Sequence, residues 1–153
     1  MDLILWRHAE AFDLVEGESD LERRLTPRGE KHAARMAGWL DQQLPEGIRI
    51  LCSPAVRTVQ TAHALKRKYK VRDALAPGAS AQDLLESAAW PQARNPVLLV
   101  GHQPTLGLVV SQLFGMGGEP MPIRKGAVWW LRSREREGEI QTVVVAVVSP
   151  EKL

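Results

Sequence analysis

Four side chains able to handle an anion stand at the ends of three short apolar runs. Arg7 and His8 follow residues 3–6; Ser53, Pro54 and, in the next helical turn, Arg57 follow residues 48–52; Gly101 and His102 follow residues 97–100. Apolar runs of that length that stop at polar residues read as parallel strands buried on both faces. In an open α/β sheet, ligands bind where the carboxyl ends of such strands meet loops and helix N-termini. Two guanidiniums and two imidazoles facing one crevice there call for an anion, and a phosphoryl group suits them best. The planar fork of arginine matches phosphate oxygens and stays charged. A neutral imidazole, with an ordinary pKa near ~6.5, is a nucleophile able to carry a phosphoryl group covalently. Because the sequence has no Walker loop, no Asp-rich metal cluster, no His-Glu-x-x-His helix and no Gly-x-Ser-x-Gly elbow, metal-free phosphoryl transfer is the chemistry that remains.

The segments between the runs supply the elements that must hold these residues. Thr26 and Pro27 read as the cap and first position of a helix whose apolar face continues through Leu40 and Leu44 to Pro45. A second helix is expected from Ser53-Pro54 through Val56, Val59, Ala62 and Leu65 to about Lys68, and a third over residues 80–89. Pro104 opens a fourth, carrying Leu106, Val109, Val110 and Leu113 and ending by Gly115. Two further strands, 127–131 and 140–148, flank a charged turn at 134–138 and read as a hairpin added to the sheet. The expected fold is therefore one α/β domain over residues 1–153, three layers deep, with a mostly parallel central sheet and at least one antiparallel strand.

Composition agrees. A chain of 153 residues, 44% hydrophobic and 25% charged, buries roughly 68–70% of its unfolded surface and matches an ordinary globular protein rather than a disordered or fibrous one. Twenty basic against 18 acidic residues leave a net charge of +2 with no basic stripe, which argues against a nucleic-acid partner. The single Cys52 permits no internal disulfide and no multi-cysteine zinc site, and reads as an inert core residue. The amino-terminal apolar run stops after four residues, short of any signal or membrane segment, so a cytoplasmic protein without a membrane partner is expected. His32 and His63 lie on helical stretches without partner motifs and are expected at the surface, and Thr26, Ser53 and Gln60 as capping or supporting residues.

Four blocks in order carry a family resemblance. Leu5-Trp6-Arg7-His8-Ala9-Glu10 resembles the Arg-His-Gly signature of the histidine phosphatase, or phosphoglycerate mutase-like, superfamily. Leu25-Thr26-Pro27-Arg28-Gly29 is similar to its Leu-Thr-x-x-Gly helix start, Ser53-Pro54-Ala55-Val56-Arg57-Thr58-Val59-Gln60-Thr61-Ala62 to its Ser-Pro-x-x-Arg-x-x-Gln-Thr-Ala segment, and Val100-Gly101-His102-Gln103-Pro104 to its second-histidine segment. The small size and the Asp20-x-x-Arg23-x-Leu25-Thr26 stretch also resemble the short, SixA-type phosphohistidine phosphatases. The resemblance implies a phosphoglycerate mutase-like fold and a phosphatase without cofactor or metal. His8 would be the phosphorylated nucleophile, Arg7 and Arg57 the ligands of phosphate oxygens, and His102 a further donor to the same group. Ala9 departs from the signature by one methyl group.

The acid that many members place in mid-chain has no clear match, and Glu10, Asp83 and Glu86 stand as candidate proton donors. A phosphohistidine in a partner protein is the leading substrate, because a departing imidazole needs less protonic help than an alkoxide. A small phosphomonoester, such as a sugar phosphate or nucleotide, and a non-catalytic phosphate-binding module are the alternatives. The oligomeric state is left open, a monomer being compatible with the reading.

Overall fold

Leu3, Ile4, Leu5 and Trp6 are all fully buried, and a strand with apolar side chains on both faces is stable only with a layer packed on each. That strand, β1 (Asp2–Arg7), accordingly lies inside the sheet. The computed structural model describes residues 1–153 and sets six strands in the order β3-β2-β4-β1-β5-β6, where β2 is Arg49–Cys52, β3 Lys70–Val71, β4 Val97–Gly101, β5 Val128–Arg136 and β6 Glu139–Val148. The pairs β1–β4, β2–β4 and β2–β3 are parallel, whereas β1–β5 and β5–β6 are antiparallel. Four helices cover the sheet: α1 (Pro27–Gln43), α2 (Val56–His63), α3 (Ala81–Ala88) and α4 (Thr105–Phe114).

Period-two alternation sorts the core into two halves. Leu3, Leu5, Leu51, Val97 and Leu99 pack with Leu84, Leu85, Leu106, Val109 and Val110 of α3 and α4. Ile4, Trp6, Ile50, Leu98 and Val100 face the other way, onto Met36, Ala37 and Leu40 of α1 and Ala62 of α2. Each fully buried aliphatic side chain contributes about 1.5–3 kcal/mol. The Trp6 indole N–H, buried with its ring, donates to the Gly126 carbonyl at 3.1 Å, so no polar group of that side chain is stranded. This is the expected three-layer α/β architecture. No helix is long and apolar enough to cross a membrane.

Most expected boundaries hold, including the Thr26 cap, whose hydroxyl accepts from Gly29 N–H at 3.0 Å, and the third helix over Ala81–Ala88. The second helix differs. It begins at Val56, with Ala55 in the capping position and no side-chain cap, and ends at His63. The Ser53 hydroxyl accepts from Ala55 N–H at 3.2 Å and is otherwise turned to His102. At the far end Lys66 takes a left-handed φ of 56°, which no helix continues. The hairpin is longer than expected, because residues 134–136 stay in β5 and the turn shrinks to Glu137-Gly138, both with positive φ (53° and 80°), the geometry that suits a two-residue turn between twisted strands. The two-residue β3 was not expected, since Lys70-Val71 is too short to show alternation.

One close approach tests this packing. At Gly29 a Cβ would stand 2.0 Å from the Glu10 carbonyl oxygen, whereas at exposed Gly38, in the same helix, it would meet nothing within 4 Å. Gly29→Ala is expected to lower stability by about 2 kcal/mol or more through backbone displacement. Gly38→Ala should raise it by roughly 0.5–1 kcal/mol through helix propensity. Urea unfolding of both variants reads the contrast, and equal effects at the two positions would refute it.

Candidate active site

The parallel pairing of β1 with β4 aligns Arg7 with Gly101, so the next residues, His8 and His102, leave the sheet side by side. Their ring centroids are 5.4 Å apart at 57°, and both residues are buried. His8 N–H continues the ladder to the Gly101 carbonyl at 3.1 Å, and Ser53 N–H does so to the Val100 carbonyl at 3.1 Å. Three strand ends are thereby locked to one another. Ala9 N–H donates to Thr61 Oγ1 at 3.2 Å and Leu25 N–H to Gln60 Oε1 at 2.7 Å, so the Gln-Thr pair of α2 holds the loop that follows the histidine.

Hydrogen bonds assign the ring nitrogens. His8 Nδ1 lies 2.7 Å from the Ala9 carbonyl, which only accepts, so Nδ1 carries the proton and Nε2 keeps its lone pair. His102 Nε2 lies 2.7 Å from Ser53 Oγ, and Nδ1 lies 3.4 Å from Arg57 Nη2. Since a guanidinium only donates, that contact favours the lone pair on Nδ1 and the proton on Nε2, donated to Ser53. Ser53, expected as a capping or supporting residue, does both, accepting from Ala55 N–H and holding His102.

The guanidiniums are held but not saturated. Arg7 Nη1 donates to the Ile123 carbonyl at 2.7 Å. Arg57, 3% exposed, donates through Nη1 to the Asp20 carbonyl at 2.7 Å and through Nη2 to Asp20 Oδ2 at 3.0 Å. Nε of both arginines is buried without an acceptor, a state that costs about 1–3 kcal/mol per donor. Burial chiefly pushes the imidazoles below their ordinary value, His8 to about 4, with Arg57 and Arg7 adding repulsion against the Ala9 hydrogen bond, and His102 to about 3, with His8 and Arg57 adding repulsion. Both are therefore neutral at physiological pH.

The candidate proton donors are engaged elsewhere. Glu10 turns to Arg28, 3.8 Å away, and lines a cavity of about 330 Å³ with His32, Arg124, Lys125 and Glu151. Asp83 Oδ2 accepts from Ser80 N–H at 3.1 Å as the capping partner of α3, and Glu86 accepts from Gln82 at 2.9 Å. None of the three has a hydrogen bond or ion pair with Arg7, His8, Arg57 or His102. The carboxylate brought to the site is instead Asp20. Burial works to raise its pKa, but the Arg57 hydrogen bond and the charges of Arg57 and Arg23 hold it below the usual carboxylate range, which makes it an anchor rather than an acid. Its signal was the Asp20-x-x-Arg23 spacing, now an i,i+3 ion pair at 3.0 Å, but nothing in that spacing points to Arg57. No three His, Cys, Asp or Glu side chains cluster as metal ligands. Cys52 is buried, its thiol pushed up to about 11 by that burial; His63 is exposed and His32 half-buried.

The neutral imidazoles make acid sensitivity a test. An unfolded histidine titrates near ~6.5 and these two titrate lower when folded, so below that value the unfolded chain binds more protons. Their contribution is fully present above the unfolded pKa and is lost as pH falls toward the folded values. Urea unfolding between about pH 7.5 and about pH 5 should show stability falling with pH, with a shallower slope in His8→Asn and in His102→Asn. An unchanged slope in both would contradict neutral, buried rings.

Residues 3–78, which contain Arg7, His8 and Arg57, match the family model for the histidine phosphatase superfamily (branch 1). The phosphohistidine phosphatase SixA homolog of Haemophilus influenzae is 31% identical over 130 residues, 75% of this chain and 78% of that protein. Phosphohistidine phosphatase SixA of Escherichia coli is 32% identical over 127 residues, 74% of each. A solved structure of the protein histidine phosphatase SixA complexed with tungstate superposes with a TM-score of 0.76 at 26% identity, covering 99% of both chains. With the phosphoglycerate mutase-like fold in place and a third of its residues shared with relatives over three quarters of its length, the chain belongs to the histidine phosphatase superfamily and is a hydrolase of the phosphatase class.

Proposed function

We propose that this protein removes the phosphoryl group from phosphohistidine in a partner protein, through a covalent phosphohistidine formed on His8. The observation that carries the reading is a pair of neutral imidazoles, 5.4 Å apart, flanked by two guanidiniums whose buried Nε–H groups have no acceptor. A tetrahedral oxyanion supplies those acceptors. Arg7 and Arg57 take its equatorial oxygens, and their fixed charges stabilise the transition state without reorganisation.

His8 Nε2 attacks phosphorus with its lone pair as the substrate's P–N bond breaks, and the substrate ring, already protonated on its other nitrogen, keeps the electron pair and leaves as neutral imidazole. Nδ1–H, held on the Ala9 carbonyl at 2.7 Å, stabilises the positive charge that spreads over the His8 ring. His102, anchored through Nε2 on Ser53, takes up at Nδ1 the proton that a phosphoryl monoanion brings with it and donates it back as a hydrogen bond to a phosphoryl oxygen. Water then attacks phospho-His8, phosphate departs and Nε2 recovers its lone pair. With Glu10, Asp83 and Glu86 committed to Arg28, Ser80 and Gln82, a substrate whose leaving group is an imidazole suits this site better than one that leaves as an alkoxide. No cofactor enters these steps. A chain with one buried cysteine suits a reducing compartment, and we place its action in the cytoplasm.

Rapid quenching during turnover of a phosphohistidine substrate should trap acid-labile phosphate on His8, located by mass spectrometry. His8→Ala is expected to lower kcat by at least ~10³-fold, and Arg57→Ala by roughly 10²–10³-fold. Full turnover by His8→Ala would end the proposal, and faster hydrolysis of sugar phosphates or nucleotides than of phosphohistidine would move it to small esters.

A further inference from the structure

Between the proposed nucleophile and α1, residues 12–22 read Phe-Asp-Leu-Val-Glu-Gly-Glu-Ser-Asp-Leu-Glu, with carboxylates but no base. Phe12, Leu14, Val15 and Leu21 are 48%, 57%, 58% and 43% exposed. Single exposed apolar residues are ordinary, whereas four in one short segment make a patch.

The segment is tied to the site by hydrogen bonds. Ala11 bridges to Leu25, Phe12 N–H donates to the Arg24 carbonyl at 2.9 Å, and Arg23 donates both to the Phe12 carbonyl at 3.0 Å and to Asp20 at 3.0 Å. Asp20 in turn carries Arg57 on its carbonyl and its carboxylate. Among the acids, Asp20 is used by the two arginines, and Glu22 accepts from Ser19 N–H. Asp13, Glu16 and Glu18 have no ion pair and border the apolar side chains in the chain.

Exposed apolar side chains interspersed with carboxylates that make no ion pair, on a segment fastened to Arg57, fit a macromolecule better than a metabolite. Contacts beyond the phosphoryl group add affinity only for a ligand wide enough to cover them, and the carboxylates repel a free anion while steering a basic surface. We infer that residues 12–22 form the docking surface for the phosphohistidine-bearing protein, whose matching footprint is apolar and edged with Lys and Arg. The inference rests on the phosphohistidine reading of the site.

The test compares two substrates, free phosphohistidine and histone H4 phosphorylated on histidine with phosphoramidate, the latter being a basic protein. Two variants are used, Phe12→Ser/Leu14→Ser/Val15→Ser and Asp13→Lys/Glu16→Lys/Glu18→Lys, none of these residues belonging to the site. Each should lower kcat/KM on the phosphoprotein by at least about tenfold, equivalent to about 1.4 kcal/mol, and leave free phosphohistidine within about twofold. Because the charge-reversal variant alters only exposed side chains, it keeps the test open if the apolar triple variant fails to fold. Unchanged phosphoprotein kinetics, equal losses on both substrates, or a wild-type dimer that the apolar variant dissociates would overturn the inference. Wild-type protein inactive on both substrates would overturn the phosphohistidine reading itself, and the docking surface with it.

Discussion

The site depends on the register of two parallel strands. Arg7 lies opposite Gly101, and this alignment makes β1 and β4 end together, so that the residue after each end is one of the two histidines. A slip of one residue would turn Trp6 out of its core and drive Arg7 into it. Both faces of β1 meet apolar cores, so what holds the register against that slip is the cost of burying the Arg7 guanidinium and the shape of the place that Trp6 fills. Packing of the core is what places the rings 5.4 Å apart.

Gathering cations at one buried point has an electrostatic consequence. Two guanidiniums and two imidazoles cannot all be charged there without an anion, and the fold resolves the conflict in two ways. Burial keeps the imidazoles neutral, and Asp20 supplies a carboxylate to Arg57. The outcome is a lone pair on His8 Nε2 in the field of fixed positive charge, an arrangement suited to attack on an anionic phosphorus. Stability is surrendered for this, since two guanidinium donors stay without acceptors in the protein interior.

Asp20 also joins chemistry to surface. The same residue that orients Arg57 sits in a segment of exposed apolar and acidic side chains, so the surface segment and a guanidinium of the site are joined through Asp20.

The architecture was largely legible from residue order, because unbroken apolar runs, Thr-Pro helix starts and glycine stops are local signals, and they placed β1, β4, α1, α3 and α4 nearly where they lie. The family blocks named Arg7, His8, Arg57 and His102. Other features were decided by contacts between distant segments. Ser53 reads as a capping or supporting residue, but only the fold shows that the ring it supports is His102, 49 residues away. Glu10, Asp83 and Glu86 are as acidic in the sequence as Asp20, but Ser80 and Gln82 engage Asp83 and Glu86 from within the same helical turn, whereas Glu10 meets Arg28 across 18 residues and Asp20 meets Arg57 across 37. Chain order carries propensity and pattern; which carboxylate faces which guanidinium, and which nitrogen of an imidazole holds the proton, are set by long-range packing and hydrogen bonds that no local signal encodes.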